Sequence, residues 1–268
     1  MKTSPSFSAY KKSPYRSIKH TTYFNVYDHL FSKFRNKKIV FIEIGVLAGG
    51  SLFMWRNFFG SKARIIGIDM NPNAKKWEKH GFEIFIGSQS DKHFWRNLCK
   101  KIGKIDVVLD DGGHTYDQQI ITTEMLLENI KDGGLLVVED THTSYMKGFG
   151  APKYSFINYT KNMIDRINRR FSKLSYEKNE TRVWSIEIYE SIVAFCINKT
   201  QSSLISEPTD NGGKDDNSVD YRYEDHKSIK DLEYMNKFLK YIPGFKLIVK
   251  QLKFFLVRIN SKSKTFFR

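Results

Sequence analysis

The 268-residue chain has few cysteines and prolines, two and six residues respectively. Cys99 and Cys196 are too few for a disulfide framework, which favours a reducing cytoplasm over secretion. No apolar run approaches the roughly 20 residues needed to cross a bilayer, and the first residues lack the apolar stretch of a secretory signal. With a hydrophobic content of 40%, the sequence predicts a cytoplasmic protein with a sizeable core.

Acidic residues are scarce at both ends of the chain. Residues 1–20 contain five lysines or arginines and no acid, and residues 226–268 contain eleven against Asp231 and Glu233. The net charge is +15, so removing these surpluses of five and nine leaves +1 for residues 21–225. A nearly neutral centre argues against nucleic-acid recognition by the fold, and we expect the basic ends to be solvated or to bind a surface.

Short apolar runs rich in β-branched residues alternate with segments of helical spacing. The predicted strands are Ile39–Ile44, Arg64–Asp69, Phe82–Ile86, Ile105–Asp110 and Gly134–Glu139. The predicted helices are Ser51–Phe59, Ala74–Lys79, Asp91–Lys101 and Tyr116–Ile130, the last with an apolar stripe that includes Ile120. Lys131–Gly134 is expected to end that helix in a left-handed glycine turn. This alternation indicates a parallel sheet with right-handed crossovers.

Two adjacent strand-like runs, Val183–Tyr189 and Ser191–Ile197, predict an antiparallel hairpin that closes the sheet. The expected fold class is α/β: a Rossmann-like, doubly wound, mostly parallel seven-stranded sheet with a C-terminal antiparallel hairpin. We predict four regions, namely a basic helical segment (1–38), the α/β core (39–199), a polar loop or linker (200–225) and a basic amphipathic tail (226–268) broken at Pro243-Gly244. The tail is expected to pack on the domain or on another subunit, or to attach to an anionic membrane.

Acidic residues and a histidine follow two of the predicted strands at the point where each ends. Asp110, Asp111 and His114 follow one strand, and Glu139 and Asp140 follow the other. Open α/β sheets bind ligands at this edge. Several anions buried together require a cation or hydrogen-bond donors for compensation. The pattern therefore predicts a site for a metal or a charged substrate.

The ends of the first three predicted strands carry features of a nucleoside site. The turn after the first strand contains Gly45 and Gly49 and opens a helix, so a ligand can approach its backbone N–H groups. Its spacing differs from G-x-G-x-x-G, which disfavours phosphate binding. Asp69 is placed to bind two ribose hydroxyls or, alternatively, to cap a turn. Gln89 is placed to contact an adenine edge.

Five pieces of residues 39–150 form a recognisable combination. They are Glu43-Ile-Gly45 with Gly49-Gly50-Ser51, Gly67-Ile-Asp69, Gly87-Ser-Gln-Ser-Asp91, Asp110-Asp-Gly-Gly-His114, and Gly133-Gly134 through to Glu139-Asp-Thr-His-Thr-Ser-Tyr145. Together they resemble class I S-adenosyl-L-methionine-dependent methyltransferases. The last two pieces resemble the metal-dependent group that contains the mycinamicin and macrocin sugar O-methyltransferases and the cephalosporin-hydroxylase-like proteins. That group usually has serine where Gly113 stands.

The resemblance implies a set of site residues. Those expected to bind S-adenosyl-L-methionine are Glu43, Gly45, Gly49, Ser51, Asp69, Gln89 and Asp110. Asp111, Glu139 and Asp140 are expected to hold a divalent cation, and three carboxylates suit Mg²⁺ or Mn²⁺ better than zinc. His114 is the expected general base, with His142 as a second candidate. His20 and Tyr23 resemble the N-terminal segment that packs near the cofactor in this group.

The predicted function is a metal-dependent O-methyltransferase that acts on a hydroxyl of a sugar or sugar-like small molecule. Its acceptor is expected in carbohydrate biosynthesis, as a nucleotide-linked sugar or a precursor of a surface or capsule polysaccharide. A homo-oligomer and contact of the tail with the inner face of the membrane stay open. Two alternatives are an RNA methyltransferase, which a pI of about 9.6 favours, and a noncatalytic cofactor-binding partner of another enzyme.

Overall fold

The computed structural model describes residues 4–171, 182–204, 206–214, 221–239, 241–242, 244–259 and 262–267. By their internal contacts the residues divide into two compact units, Met1–Glu207 and Pro208–Arg268. Residue 205, residues 215–220 of the predicted polar loop, and Pro243 of the predicted break lie outside the described residues. Within the described ranges, no helix combines the length and the apolar character needed to cross a membrane.

The first unit is built on a seven-stranded sheet. Its strands are β1 (Val40–Ile44), β2 (Arg64–Asp69), β3 (Glu83–Ile86), β4 (Ile105–Asp110), β5 (Ile130–Val138), β6 (Val183–Tyr189) and β7 (Ile192–Ile197). Their order is β3-β2-β1-β4-β5-β7-β6. Strands β1 to β5 pair in parallel, and β7 runs antiparallel to both β5 and β6. The predicted fold class and the C-terminal hairpin are confirmed.

Helices cover both faces of this sheet. They are α1 (Pro5–Lys11), α2 (Tyr23–Phe31), α3 (Gly50–Phe59), α4 (Lys92–Ile102), α5 (Tyr116–Leu126), α6 (Phe156–Asn168) and α7 (Lys199–Ser202). Side-chain caps set the starts of two helices beside the ligand-binding edge. The carboxylate of Asp91 accepts the N–H groups of His93 and Phe94 in the first turn of α4, and Thr115 forms a capping box with Gln118 at the start of α5.

The core consists of two clusters, one on each face of the sheet. Alternate strand residues point to opposite faces, so Phe41 packs with Trp55 of α3 on one face. Ile42 packs with Trp95 of α4 on the other face. Because these strands are covered on both faces, neither face requires polar side chains. Their sequences are therefore unbroken apolar runs.

The predicted boundary between α5 and β5 is wrong. The helix ends at Leu126 and a 3₁₀ turn follows, so Ile130 already pairs with Ile105 in β5. Lys131–Gly134 therefore lies in the strand and does not end a helix. Gly133 has a φ of 83°, and the register with β4 shifts in this region. A glycine in the left-handed conformation allows the strand to bulge here and continue.

One further helix prediction differs from the structure. The predicted helix Ala74–Lys79 is a 3₁₀ helix that spans Pro72–His80. Of the apolar stripe predicted before β5, Leu126, Leu127 and Ile130 are buried in the core, and Ile120 is partly buried against it. The polar side chains of Gln119, Thr122 and Thr123 in α5 are buried as well. Gln119 Nε2 donates to the carbonyl of Glu139 at 3.0 Å, so this polar face supports the chain directly beside the carboxylates.

The second unit contains two helices, α8 (Lys227–Leu239) and α9 (Phe245–Ile259), and a 3₁₀ helix at Lys262–Phe266. Lys253 of α9 forms an ion pair with Glu233 of α8. Gly244, directly before α9, has a left-handed φ of 78°, which agrees with a break between the two helices.

Candidate active site

A cavity of about 480 Å³ opens at the carboxyl ends of the parallel strands. The predicted site residues that line it are Gly45, Ser51, Asp69, Gln89, Asp111, His114, Glu139 and Asp140. Residues 16–20 and Tyr23 line it as well, so the segment before β1 forms part of the wall. Glu43, Gly49 and Asp110 do not line the cavity.

Asp111, His114 and Asp140 converge at one end of this cavity. His114 Nε2 lies 3.4 Å from Asp140 Oδ2 and 3.9 Å from Asp111 Oδ1. The ligand atoms of the three side chains are close enough to share one metal ion. His114 and Asp140 have φ values of 58° and 55°, a left-handed conformation that is costly for residues other than glycine and clusters at functional sites.

Two other histidines lie near the same carboxylate. His142 Nδ1 is 4.0 Å and His20 Nε2 is 3.9 Å from Asp140 Oδ1. Their side chains are 42% and 65% exposed, against 23% for His114. Because His114 is the histidine that approaches both aspartates, its position favours it over His142 as the base of the site.

Lys19, which the charge analysis places among the solvated basic residues, lies inside the site. Its Nζ is 2.6 Å from Asp111 Oδ2, 2.9 Å from Glu139 Oε2 and 4.0 Å from Glu43 Oε1. The side chain is only 1% exposed. Burial alone lowers the pKa of Lys19, but the three carboxylates raise it above its ordinary value, so the ammonium stays charged. The expectation of solvated N-terminal charge is therefore wrong for Lys19.

Two tyrosines of α2 also bind carboxylates of the site. Tyr23 Oη donates to Asp140 Oδ1 at 2.5 Å, and Tyr27 Oη donates to Glu139 Oε1. Burial raises the pKa of both phenols well above the ordinary value, so both remain protonated donors. Glu139 thus has a donor on each oxygen, and it lies outside the group formed by Asp111, His114 and Asp140.

Glu43 lies behind the cavity wall. It accepts hydrogen bonds from Ser51 Oγ at 2.7 Å and Trp55 Nε1 at 2.9 Å, which tie β1 to α3. Burial raises the pKa of Glu43 to about 7, in spite of the lowering effect of Lys19 and these two donors. Any contribution of Glu43 to cofactor binding would act through Ser51.

Gln89, which lines the cavity, and Asp110, which does not, form a second buried pair. Gln89 Nε2 donates to Asp110 Oδ1 at 2.8 Å, and Gln89 Oε1 accepts the Gly113 N–H at 2.9 Å. Burial raises the pKa of Asp110 to about 7. Among the residues that the structure describes, no donor reaches the buried Asp110 Oδ2. An unpaired buried acceptor beside a ligand cavity fits a ligand that donates a hydrogen bond.

The glycine turn after β1 brings backbone close to the cavity. Gly45 has a φ of 91°, and a Cβ built there would lie 2.0 Å from the carbonyl oxygen of Asp111. Asp69 holds this turn, since its Oδ2 accepts the N–H groups of Val46 at 2.9 Å and Leu47 at 3.0 Å. The capping role considered for Asp69 is therefore present, and its position in the cavity wall leaves the ribose role as a proposal.

Comparison with known proteins identifies the central part of the chain. The family described as "Methyltransferase domain" matches residues 42–141. The 8-demethyl-8-alpha-L-rhamnosyl tetracenomycin-C 2'-O-methyltransferase of Streptomyces olivaceus is 32% identical, over 55% of this chain and 41% of its own length. The mycinamicin VI 2''-O-methyltransferase of Micromonospora griseorubida is 34% identical, over 54% of this chain and 39% of its own length.

A solved structure agrees with these relatives. It is the MycE methyltransferase from the mycinamycin biosynthetic pathway in complex with Mg, SAH and mycinamycin VI, with 26% identity and a TM-score of 0.66. The match covers 77% of this chain and 55% of MycE. The chain therefore spans about two fifths of the length of the curated relatives and about half of that structure.

Proposed function

We propose that this protein, whose residues 42–141 match the methyltransferase family, transfers a methyl group from S-adenosyl-L-methionine to a sugar hydroxyl with the help of a divalent cation. The observation that carries the proposal is the convergence of Asp111, His114 and Asp140 at one end of a cavity lined by the glycine turn. The names of the two relatives above describe O-methylation of a rhamnosyl tetracenomycin-C and of mycinamicin VI. The solved MycE structure contains Mg and SAH.

The cavity fits the cofactor. Gly45 brings backbone to its edge, Asp69 and Gln89 line its wall, and the unpaired Asp110 Oδ2 lies behind Gln89. We propose that Asp69 binds the ribose hydroxyls and Gln89 the adenine edge. Gly49, Ser51 and Glu43 would act by shaping the turn that faces the cofactor.

The carboxylates fit a cation. Asp111 and Asp140 are only 23% and 20% exposed and present hard oxygen donors, which suit Mg²⁺ or Mn²⁺. We propose Asp111, Glu139 and Asp140 as the residues that hold it. Several buried anions at one point are stable only with compensation, and Lys19 is a single positive charge among them.

Once bound, S-adenosyl-L-methionine supplies an electrophilic methyl group and the cation makes an acceptor hydroxyl easier to deprotonate. His114 accepts the hydroxyl proton at Nε2, the atom that faces Asp111 and Asp140. The two carboxylates stabilise the imidazolium that forms. The cavity wall, which includes residues 16–20, would orient the acceptor toward the methyl group.

Both alternatives considered from the sequence receive less support. An RNA substrate is disfavoured, because the related proteins named above act on rhamnosyl or mycinamicin compounds. A noncatalytic role is disfavoured because His114 lies within 4 Å of both aspartates. As acceptor we propose a nucleotide-linked sugar or a precursor of a surface or capsule polysaccharide, within carbohydrate biosynthesis.

A screen of sugar and nucleotide-sugar acceptors for release of S-adenosylhomocysteine tests the proposal. We expect one acceptor class to give release that stops on chelation and returns with Mg²⁺ or Mn²⁺. Undiminished release after exhaustive chelation would contradict the metal dependence. A lack of S-adenosyl-L-methionine binding in calorimetry would contradict the transferase function itself.

The second unit supports a further proposal, contact of α9 with an anionic membrane surface. Ile248, Leu252, Phe255 and Ile259 recur at helical spacing on one side of α9, and each is 45–59% exposed. Residues 244–268 contain seven lysines and arginines and no aspartate or glutamate. An exposed apolar stripe within an exclusively cationic segment matches the chemistry of an interfacial helix on anionic lipid.

The full chain is therefore expected to bind vesicles that contain phosphatidylglycerol and not to bind vesicles of phosphatidylcholine alone. Phe255→Glu should weaken binding by about 10-fold or more, because burying a phenylalanine contributes about 1.5–3 kcal/mol. Ile188→Glu alters an exposed isoleucine of the first unit and serves as the control. Equal binding by the two variants contradicts the proposal, and a Phe255-dependent dimer in sedimentation would assign the stripe to a subunit interface.

A further inference from the structure

Three residues before β1 make one hydrogen-bond pattern to the carboxylates of the site. Lys19 donates to Asp111 and Glu139, Tyr23 donates to Asp140, and Tyr27 donates to Glu139. We propose that Lys19, Tyr23 and Tyr27 are positioning residues, here called the positioning triad, that orient these carboxylates for the cation. This inference rests on the metal-dependent function proposed above.

These hydrogen bonds use only one of the two carboxylate oxygens of Asp111 and of Asp140. Lys19 takes Oδ2 of Asp111, and the other oxygen, Oδ1, faces His114. Tyr23 takes Oδ1 of Asp140, and Oδ2 faces His114. Each aspartate therefore has one oxygen hydrogen-bonded to the triad. Its other oxygen faces His114, where the three side chains could share one cation. Because a carboxylate rotates freely when unpartnered, such fixed donors decide which oxygen a cation meets.

The triad is held rigidly enough to act in this way. Tyr23 and Tyr27 lie four residues apart, on one face of α2, and are 2% and 0% exposed. The ring of Tyr27 packs edge-on against Trp55 at 5.1 Å and stacks on Phe31 at 5.9 Å. Core packing of this kind fixes the phenol oxygens relative to the sheet. The fixed phenol oxygens therefore set the orientation of the carboxylates.

The members of the triad differ in charge, which makes positioning separable from electrostatics. The tyrosines are neutral, so their removal leaves the charge of the site unchanged. Lys19 is cationic, so replacing it with a neutral residue strengthens the attraction of the site for a cation. Weaker cation binding after loss of Lys19 would be opposite to this direct effect of charge and would agree with lost orientation of Asp111 and Glu139.

The test measures Mn²⁺ affinity of the full chain by electron paramagnetic resonance of free Mn²⁺. We expect Tyr23→Phe and Tyr27→Phe to weaken Mn²⁺ binding by about 10-fold or more, the range typical for partners of metal ligands. Lys19→Met should also weaken it. Tyr159→Phe is the matched control, because Tyr159 Oη donates to a carboxylate, Glu124, at 2.6 Å outside the site. A merely structural role would lower the melting temperature and leave Mn²⁺ affinity unchanged.

The outcomes separate this inference from the proposed function. If the unmodified chain binds Mn²⁺ and both tyrosine variants bind it equally well, the positioning triad is overturned and the metal site stands. Tighter binding by Lys19→Met would make Lys19 a competitor of the cation and would remove it from the triad. If the unmodified chain fails to bind Mn²⁺, the metal-dependent function and the triad both fall. The phenylalanine variants keep both core rings, so the test stands even if Lys19→Met fails to fold.

Discussion

His114→Ala is expected to lose about 100-fold or more in turnover, because a positioned general base contributes about 10²–10⁴-fold to the rate. His114 Nε2 is the histidine atom that approaches both Asp111 and Asp140, where a deprotonating acceptor hydroxyl would be held. The measurement is release of S-adenosylhomocysteine with the acceptor found in the screen. Affinity for the cofactor should remain within about 3-fold, because the residues proposed to bind the cofactor are those of the glycine turn and Asp69.

His142→Ala is the matched control for this prediction. His142 Nδ1 is 4.0 Å from Asp140, but its side chain is 42% exposed. Loss of turnover in His142→Ala with activity retained in His114→Ala would transfer the role of base to His142. Because His114 also falls within the group able to share one cation, Mn²⁺ affinity of His114→Ala must be measured in parallel. A loss of Mn²⁺ binding as large as the loss of turnover would make His114 a ligand and not the base.

The convergence of the site could be predicted because it follows from strand register. In the parallel pairing of β4 with β5, Asp110 lies opposite Val138. The residues that follow these strands, Asp111 and Glu139, are therefore neighbours at the same edge. Strand ends are readable in a sequence because unbroken apolar runs stop there. For this reason, the edge and its carboxylates were predictable without knowledge of the packing between layers.

The start of β5 was not predictable for the opposite reason. Residues 131–133 are exposed at the far end of the strand, where Lys131, Asp132 and two glycines give no apolar signal. Ile130 before them and Leu135 after them pair with β4, and the register shifts in between, so a tertiary interaction places these residues in the strand. Local propensity favours a helix end with a glycine turn, and the sheet overrides it.

Lys19 was missed because charge counting treats lysine as solvated. Its partners Asp111 and Glu139 lie 92 and 120 residues away in the sequence, so no local pattern reports the ion pairs. The available signal is weaker: Tyr23 and Tyr27 place two hydroxyls on one face of α2, and Lys19 lies four residues before that helix begins. Such a face, directed toward a site rich in carboxylates, indicates donors that compensate buried charge.

Asp111→Asn and Asp140→Asn are each expected to weaken Mn²⁺ binding by more than about 100-fold, beyond the roughly 10–100-fold range of partners that only orient ligands. An amide is nearly isosteric with a carboxylate but removes one negative charge from the site. Magnesium-dependent turnover should fall in parallel, and excess Mg²⁺ should restore part of it. Calorimetry for Mn²⁺ and release of S-adenosylhomocysteine measure the two effects.

Asp117→Asn provides the control, since Asp117 is an exposed carboxylate three residues beyond His114. It should leave both measurements unchanged. Glu139→Gln tests the third proposed ligand, whose oxygens are hydrogen-bonded to Lys19 and Tyr27. A loss of Mn²⁺ affinity equal to that of Asp140→Asn would make Glu139 a direct ligand. Its oxygens would then bind the cation as well as Lys19 and Tyr27. Unchanged Mn²⁺ affinity in Asp111→Asn and Asp140→Asn would remove the cation from this end of the cavity, and His114 would then have to activate the acceptor alone.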